Sequence, residues 1–353
     1  MKINNITFVE AINSALQISM EIDNKVICYG LGATDPKGIF GTTIGLEEKF
    51  GKERVFDTPT SENAMTGIGI GAAIAGYKTI MTHQRLDFFL LAMDQLVNGA
   101  AKMHYMFDGQ LTVPITIRLI IGRGWGQGPT HSQNLQSWFA HIPGLKVVMP
   151  STPSDAKGLL LSSIFDPDPV LFLEHRWLHN SIGEVRDGDY RIPLGKANLI
   201  TKGNDLTIVS MSYMTVEALI AQKYLEKIGI AIDIIDLRSV KPIDFSCIIN
   251  SLRVTGKILV LDTGVSTCSI ASEIVSQIAI YHSNLLDRPP SRITMPDVPE
   301  PTSYGLTKDF YPRANHIVER VCEMLKIDGS KLIDEMPVIS PHDVPGDWFK
   351  GPF

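Results

Sequence analysis

The chain has 353 residues, 44% of them apolar, which supplies cores for about two domains and excludes a disordered, collagenous or miniature disulfide-stapled protein. Thirty-two Lys and Arg against thirty-eight Asp and Glu leave a net charge of −6 with no basic block, which argues against nucleic acid as a partner. Cys28, Cys247, Cys268 and Cys322 lack any C-x-x-C spacing, so neither a zinc knuckle nor a disulfide framework is expected, and reduced thiols in a cytoplasmic protein are the default.

Thr7 followed by Glu10 spells a capping box, and the apolar residues after it recur at helical spacing, so the first helix is expected to begin at Phe8. Glu10, Asn13 and Gln17 interrupt its apolar face, which makes it amphipathic and unlike a signal peptide. A strand, KVICYG, is expected next, then a glycine-rich loop through Gly45, a short strand in RVFDTP, and a small-residue helix from Ser61 to about Gly76. The strand YKTIMTH leads to a helix from about Phe88 to Met106, and VPITIRLII, LKVVMP and PVLFLEH read as buried strands. The longest apolar run, Leu111 to Ile121, is broken by Pro114 and Arg118 and falls well short of the ~20 residues that span a bilayer, so no membrane segment is expected. Strands alternating with helices imply an α/β fold, doubly wound around a mostly parallel sheet.

Periodicity dissolves near residues 176–204, and the domain boundary is placed there: a first domain over 1–185 and a linker over 186–204. A second α/β series fills 205–326, with DLTIVSMS, a helix from Thr215 to Ile228, AIDIIDLR, a helix near Phe245 to Leu252, KILVLDT and a helix from Ser269 to Ala279. Residues 327–353 carry Pro337, Pro341, Pro345 and Pro352 with Trp348, Phe349 and Phe353, a tail that cannot build a core alone and is expected to pack on a neighbouring surface if it is ordered.

Residues 67–72 satisfy G-x-G-x-x-A, but the preceding TPTSENAMT offers no strand turning into a helix, so no dinucleotide site is expected and the glycines read as a helix face in close contact with other backbone. Ser61 is placed to cap the following helix. Glu62 then falls in the first turn, where a carboxylate is either an ordinary helix-start acid worth about 0.3–1 kcal/mol or a functional group. The loop Gly124-Trp125-Gly126-Gln127-Gly128-Pro129-Thr130-His131-Ser132-Gln133 follows VPITIRLII at its carboxyl end, the edge where open α/β sheets hold ligands. His131 on such a loop is able to carry a proton to a bound substrate. His175 and His179 have i, i+4 spacing without a third ligand and read as structural.

The succession DTPTSEN, GIGIGAAIAG, FFLLAMDQLVNGAAK, GPTHSQ, HIPGLKVVMPSTPSDAKGLL, DPDPVLFLEH and DLRSVKPID, over about residues 5–325, resembles the beta subunit of two-chain, thiamine-diphosphate-dependent 2-oxo acid dehydrogenases of the pyruvate, branched-chain and acetoin type, in the transketolase superfamily. The resemblance implies a pyrimidine-binding domain followed by a transketolase-type C-terminal domain. Glu62 matches the glutamate that hydrogen-bonds the cofactor's aminopyrimidine ring nitrogen, Phe88 the aromatic that stacks on the pyrimidine, and His131 the histidine that assists proton or acyl transfer. Asp166 falls where some relatives hold a monovalent cation such as potassium. The superfamily holds the diphosphate and magnesium through a G-D-G with a downstream Asn, and this chain contains no GDG, FDGQ and RDGD being its nearest approaches. The implied partner is therefore an alpha subunit that carries this motif, in a heterotetramer built on a dimer of this chain, with a lipoyl acyltransferase as acyl acceptor. The aromatic tail is assigned to contact with that alpha subunit.

Departures from the family pattern are local. Gly30-Leu31-Gly32 stands where relatives have Gly and two acidic residues, and His83-Gln84-Arg85-Leu86-Asp87-Phe88 replaces an aromatic-rich stretch. Either Arg85 and Asp87 form a surface pair, or Arg85 or His83 recognises a carboxylate, phosphate or hydroxylated substrate, with the Gln133 amide beside His131 as a further candidate. The leading expectation is oxidative decarboxylation of a 2-oxo acid with acyl transfer to lipoamide. The alternatives are a split transketolase-like enzyme handling a ketol unit, suggested by GPTHSQ, and a scaffold without chemistry.

Overall fold

A computed structural model describes residues 2–124 and 126–350; Trp125 of the glycine loop and Pro352 and Phe353 of the tail lie outside these. The capping box forms as expected: Glu10 N donates to Thr7 Oγ1 at 3.2 Å, Thr7 N donates to the Glu10 carboxylate at 2.7 Å, and the helix Phe8–Ile22 follows. Strand β1 (Ile3–Thr7) precedes it. Then come β2 (Val26–Gly30), β3 (Val55–Asp57), β4 (Lys78–His83), β5 (Ile115–Ile121), β6 (Lys146–Val148), β7 (Val170–His175) and β8 (Ile182–Arg186). The second half contributes β9 (Asn198–Thr201), β10 (Leu206–Ser210), β11 (Ile232–Asp236), β12 (Ser239–Lys241), β13 (Ile258–Val265) and β14 (Ser291–Met295).

The first sheet has seven strands in the order β12-β6-β7-β5-β4-β2-β3, parallel except for β12 at its edge. The second has five in the order β14-β13-β10-β11-β9, again parallel except for the edge strand β9. Every residue of β5 and of β7 is buried, as continuous β-branched and apolar runs require in a sheet covered on both faces. One face, with Cys28, Ile80 and Phe172, packs under the helices Phe8–Ile22 and Pro153–Ile164; the other, with Tyr29, Met81 and Ile117, packs under Met65, Phe89 and Leu96.

The glycines at 67–71 lie inside the helix Glu62–Ile74, away from any strand-to-helix turn. A Cβ on Gly69 would stand 1.9 Å from the Tyr29 hydroxyl, which donates to Met65 O at 3.1 Å, so close packing and not phosphate binding explains the residue type.

Several elements differ from the sequence reading. Residues 176–204 hold β8, paired antiparallel with β1, and β9 on the edge of the second sheet; both are too short and too exposed to show a clear period. The helix expected over 88–106 is broken into a turn at Leu86–Phe89, a π-helical stretch over Gln95–Ala100 and a final helix Ala101–Met106. Two of the longer helices were not foreseen. In Pro153–Ile164, Thr152 accepts from Asp155 N and the helix is buried so completely that no amphipathic stripe marks it, while Ala314–Leu325 packs on the helix Tyr213–Leu225. The tail also lies on its own chain: Trp348 Nε1 donates to Trp177 O at 3.2 Å and Phe349 covers the Arg176 guanidinium at 5.3 Å, so two aromatics assigned to a partner are engaged within the molecule.

Candidate active site

The carboxyl ends of β3, β4 and β5 bring most of the candidates to one edge of the first sheet. Ser61 takes the N-cap position of the helix Glu62–Ile74 without making a side-chain cap bond. Glu62, its first residue, is 8% exposed, and no donor among the described residues bonds its carboxylate. With no donor of the chain on it, the carboxylate is left open to a ligand that brings a proton to it. Phe88 leaves a third of its surface open, and the His131 ring meets it edge-on, centroids 5.3 Å apart at 88°. Thr130 Oγ1 lies 3.0 Å from His131 Nδ1.

Asp87 ties the two segments together, because Gln133 Nε2 donates to its Oδ1 at 2.8 Å while Oδ2 is buried without a donor. The Arg85–Asp87 surface pair does not form. Arg85 is buried at 4% exposure, donating from Nη1 to Gly122 O at 2.7 Å and from Nη2 to Gln127 Oε1, with no carboxylate within 4 Å among the described residues. Burial lowers its pKa to about 10. His83 is also buried, edge-on to Phe89, with neither ring nitrogen bonded, and burial pushes its pKa down to about 4, so it stays neutral.

Asp166 stands apart. It precedes β7, at the opposite edge of the sheet, and accepts from Lys146 Nζ at 2.6 and 2.8 Å. The ammonium already neutralises this carboxylate, and no group of three His, Cys, Asp or Glu gathers around a metal position among the described residues. With Lys146 on this carboxylate, no step is assigned to a potassium ion at Asp166. His175 and His179 are core residues, the first accepting from Trp177 N and the second 3.5 Å from the buried Glu174.

Sequence reasoning missed the groups behind the histidine loop. Arg123, fully buried, donates to Gln127 O, Pro301 O and Thr302 O and to Asp343 Oδ2. Glu300, buried and bonded to Asn134 Nδ2 at 3.2 Å and the Tyr311 hydroxyl at 2.9 Å, has its pKa raised to about 8 by burial. Nothing local in the sequence marks Glu300, which reaches the loop from more than 160 residues away. Clefts of about 570 Å³ along the helix Phe8–Ile22 and about 310 Å³ beside Asp166 include none of Glu62, Phe88 and His131, of which the last two are exposed.

Fold and site edge together define a chain of the transketolase superfamily: residues 4–180 match the transketolase pyrimidine-binding domain and residues 195–317 the transketolase C-terminal domain. The chain belongs to the family of beta subunits of two-chain 2-oxo acid dehydrogenases. It is 41% identical to the 2-oxoisovalerate dehydrogenase subunit beta of Bacillus subtilis (strain 168), across 88% of this chain and 94% of that one. It is 39% identical to the mitochondrial pyruvate dehydrogenase E1 component subunit beta of Pisum sativum, over 89% of each chain. With the acetoin:2,6-dichlorophenolindophenol oxidoreductase subunit beta of Cupriavidus necator it shares 40% over 90% of this chain and 96% of that one. A solved split gene transketolase, an inactive beta4 tetramer, shares the fold with a TM-score of 0.73 at 21% identity, covering 92% of this chain and 99% of its own. No helix among the described residues is long and apolar enough to cross a membrane.

Proposed function

We propose that this chain is the beta component of a thiamine-diphosphate-dependent 2-oxo acid dehydrogenase, carrying out oxidative decarboxylation with acyl transfer to lipoamide in the cytoplasm. The observation that carries the reading is Glu62: a carboxylate 8% exposed, without a donor of its own, on the same sheet edge as an open Phe88 ring and His131. Bound there, thiamine diphosphate would supply the carbanion chemistry. Glu62 holds a proton at a ring nitrogen, Phe88 offers a stacking face, and His131 moves a proton at the substrate. Neutral His83 and the Gln133 amide present polar groups to the substrate, and Arg85, a cation without a carboxylate partner, favours an acid with a polar or anionic chain over a plain aliphatic one.

The diphosphate and magnesium are assigned to an alpha subunit with a G-D-G motif, since this chain has none. Two such partners clasping a dimer of this chain make the heterotetramer, and a lipoyl acyltransferase takes the acyl group. The exposure of Phe88 and His131 supports a site completed by another chain. Calorimetric titration of thiamine diphosphate with magnesium into the chain alone, and then into the chain co-expressed with the alpha candidate, tests this. Binding is expected only in the mixture, followed by carbon dioxide release from 2-oxo acids without a ketose donor. Tight binding to the chain alone would sink the shared site.

A further inference from the structure

The loop that carries His131 has glycine at 122, 124, 126 and 128, and such a segment has much conformational freedom to lose before it holds a catalytic group still. Its one buried cation is Arg123, at 1% exposure. The guanidinium gathers three separate parts of the chain. It donates from Nη1 to Gln127 O at 2.8 Å within the loop and to Pro301 O at 2.7 Å, and from Nη2 to Thr302 O at 3.3 Å and Asp343 Oδ2 at 2.8 Å. Asp343 is its only carboxylate partner among the described residues and is itself 6% exposed. The loop is also in tight contact with the second half of the chain, because a Cβ on Gly128 would stand 2.0 Å from Thr302 Oγ1.

Asp343 belongs to the tail, and the tail is itself tethered on both sides. Arg313, at the start of the helix Ala314–Leu325 and 6% exposed, donates from Nη2 to His342 O at 3.1 Å and Val344 O at 2.5 Å, the two carbonyls that flank Asp343. Arg313 is fixed in turn by the Glu217 carboxylate at 3.3 Å. The His342 ring lies against Tyr304, centroids 3.9 Å apart and tilted by 30°, and beyond Asp343 the Trp348 indole N–H reaches Trp177 O and Lys350 N reaches Asn180 Oδ1 at 3.4 Å. Residues 342–350 thus run from the second half of the chain to the first, with Asp343 between two buried arginines. A buried guanidinium loses far more when its carboxylate is removed than an exposed one does, so this contact has the energy to decide where the loop sits.

We propose that residues 342–350 are an intramolecular strap, and that Asp343 is a positioning residue that acts through Arg123 to hold the loop bearing His131. The effect on turnover rests on the assignment of His131 made above; the effect on loop motion does not. Hydrogen–deuterium exchange of the full chain separates the two, with Asp343→Ala, the conservative Asp343→Asn, and Val338→Ser as a control at an exposed tail position. Peptides from 122–134 are expected to exchange about tenfold faster in Asp343→Ala, to change less in Asp343→Asn, and to be unchanged in Val338→Ser, while the helix Tyr213–Leu225 keeps its protection. Should Asp343→Ala fail to fold, Asp343→Asn alone decides: faster loop exchange supports the strap, and unchanged exchange overturns it.

In the complex with the alpha subunit, kcat of Asp343→Ala is expected to fall about tenfold with KM for the 2-oxo acid within about twofold, because a displaced proton carrier affects the chemical step more than binding. A loosened loop with unchanged kcat would overturn the positioning role. If His131→Ala itself left turnover unchanged, the assignment of the site would fall and the exchange data would still judge the strap.

Discussion

The two edges of the first sheet handle charge in opposite ways. At the amino-terminal edge, Lys146 Nζ bridges Asp166 and Asp168, and Asp168 also accepts at 2.5 Å from His104 Nδ1, so each carboxylate there has a donor. At the carboxyl-terminal edge, Glu62 has no donor, Asp87 keeps one buried oxygen unbonded, and both nitrogens of His83 are unmatched. Folding alone selects the first arrangement, since unsatisfied buried polar groups are costly; the second persists where something outside the chain completes it.

Between the edges lies a buried ion pair whose disruption should have the largest effect. Arg118 on β5 donates from Nε and Nη2 to Glu174 on β7 at 2.6 and 3.0 Å, both side chains being almost fully buried. Burial alone would raise the Glu174 carboxyl; Arg118 and His179 together outweigh it and hold the group below its usual range. Arg118→Met strands a buried carboxylate and is expected to cost about 3–5 kcal/mol in urea denaturation. The double change Arg118→Met, Glu174→Leu should recover most of that loss, and a failure to recover would show that the pair is more than a closed structural unit.

At the open edge the order of effects reverses, with function sensitive and stability not. Glu62→Gln is expected to lower turnover of the alpha–beta complex on the order of a hundredfold, about 2.7 kcal/mol, while moving the unfolding midpoint little, since no donor of the chain is lost. Unchanged turnover would instead favour a scaffold without chemistry.

Much of this contrast was legible in the sequence, and the limits are physical. Glu62 was legible from a helix start and His131 from a glycine-rich loop after a strand end, while Phe88 was marked only by the resemblance of its stretch to the family. Arg85 was legible as an anomaly but not as a buried one, because its partners, Gly122 O and Gln127, come from a different loop. Arg123, Glu300 and Asp343 were invisible for the same reason: their meaning lies in contacts more than 160 residues apart, which no local period encodes. The helix Pro153–Ile164 escaped because burial on all sides erases the stripe that would reveal it.

Acidification probes the buried histidines. His83, His179 and His175 have their pKa values lowered by burial to about 4, 4 and 3. The unfolded chain therefore takes up these protons first, from its ordinary value of 6.5, and the native chain only near 4 or below. Stability should fall as pH drops through that window, each histidine contributing up to about 1.4 kcal/mol per pH unit. His83→Leu should flatten the slope by one such share, visible in denaturation series between pH 6.5 and 4.5; an unchanged slope would mean that His83 is already protonated or solvated in the native chain.

The smallest effect is expected where the sequence reading had placed a cation. Asp166 and Lys146 keep 14% and 29% of their side chains open, so water screens the pair, and Asp166→Asn leaves an acceptor in place for the ammonium. The expected loss is about 0.2–1 kcal/mol, with turnover and its response to added potassium unchanged. The position argues for this as strongly as the bond does: Asp166 lies ahead of β7, across the full length of the sheet from the carboxyl ends that carry Phe88 and His131. A large, potassium-dependent loss in Asp166→Asn would show that the ammonium yields its place to a cation during assembly, and the contrast between a closed edge and an open one would then have to be redrawn.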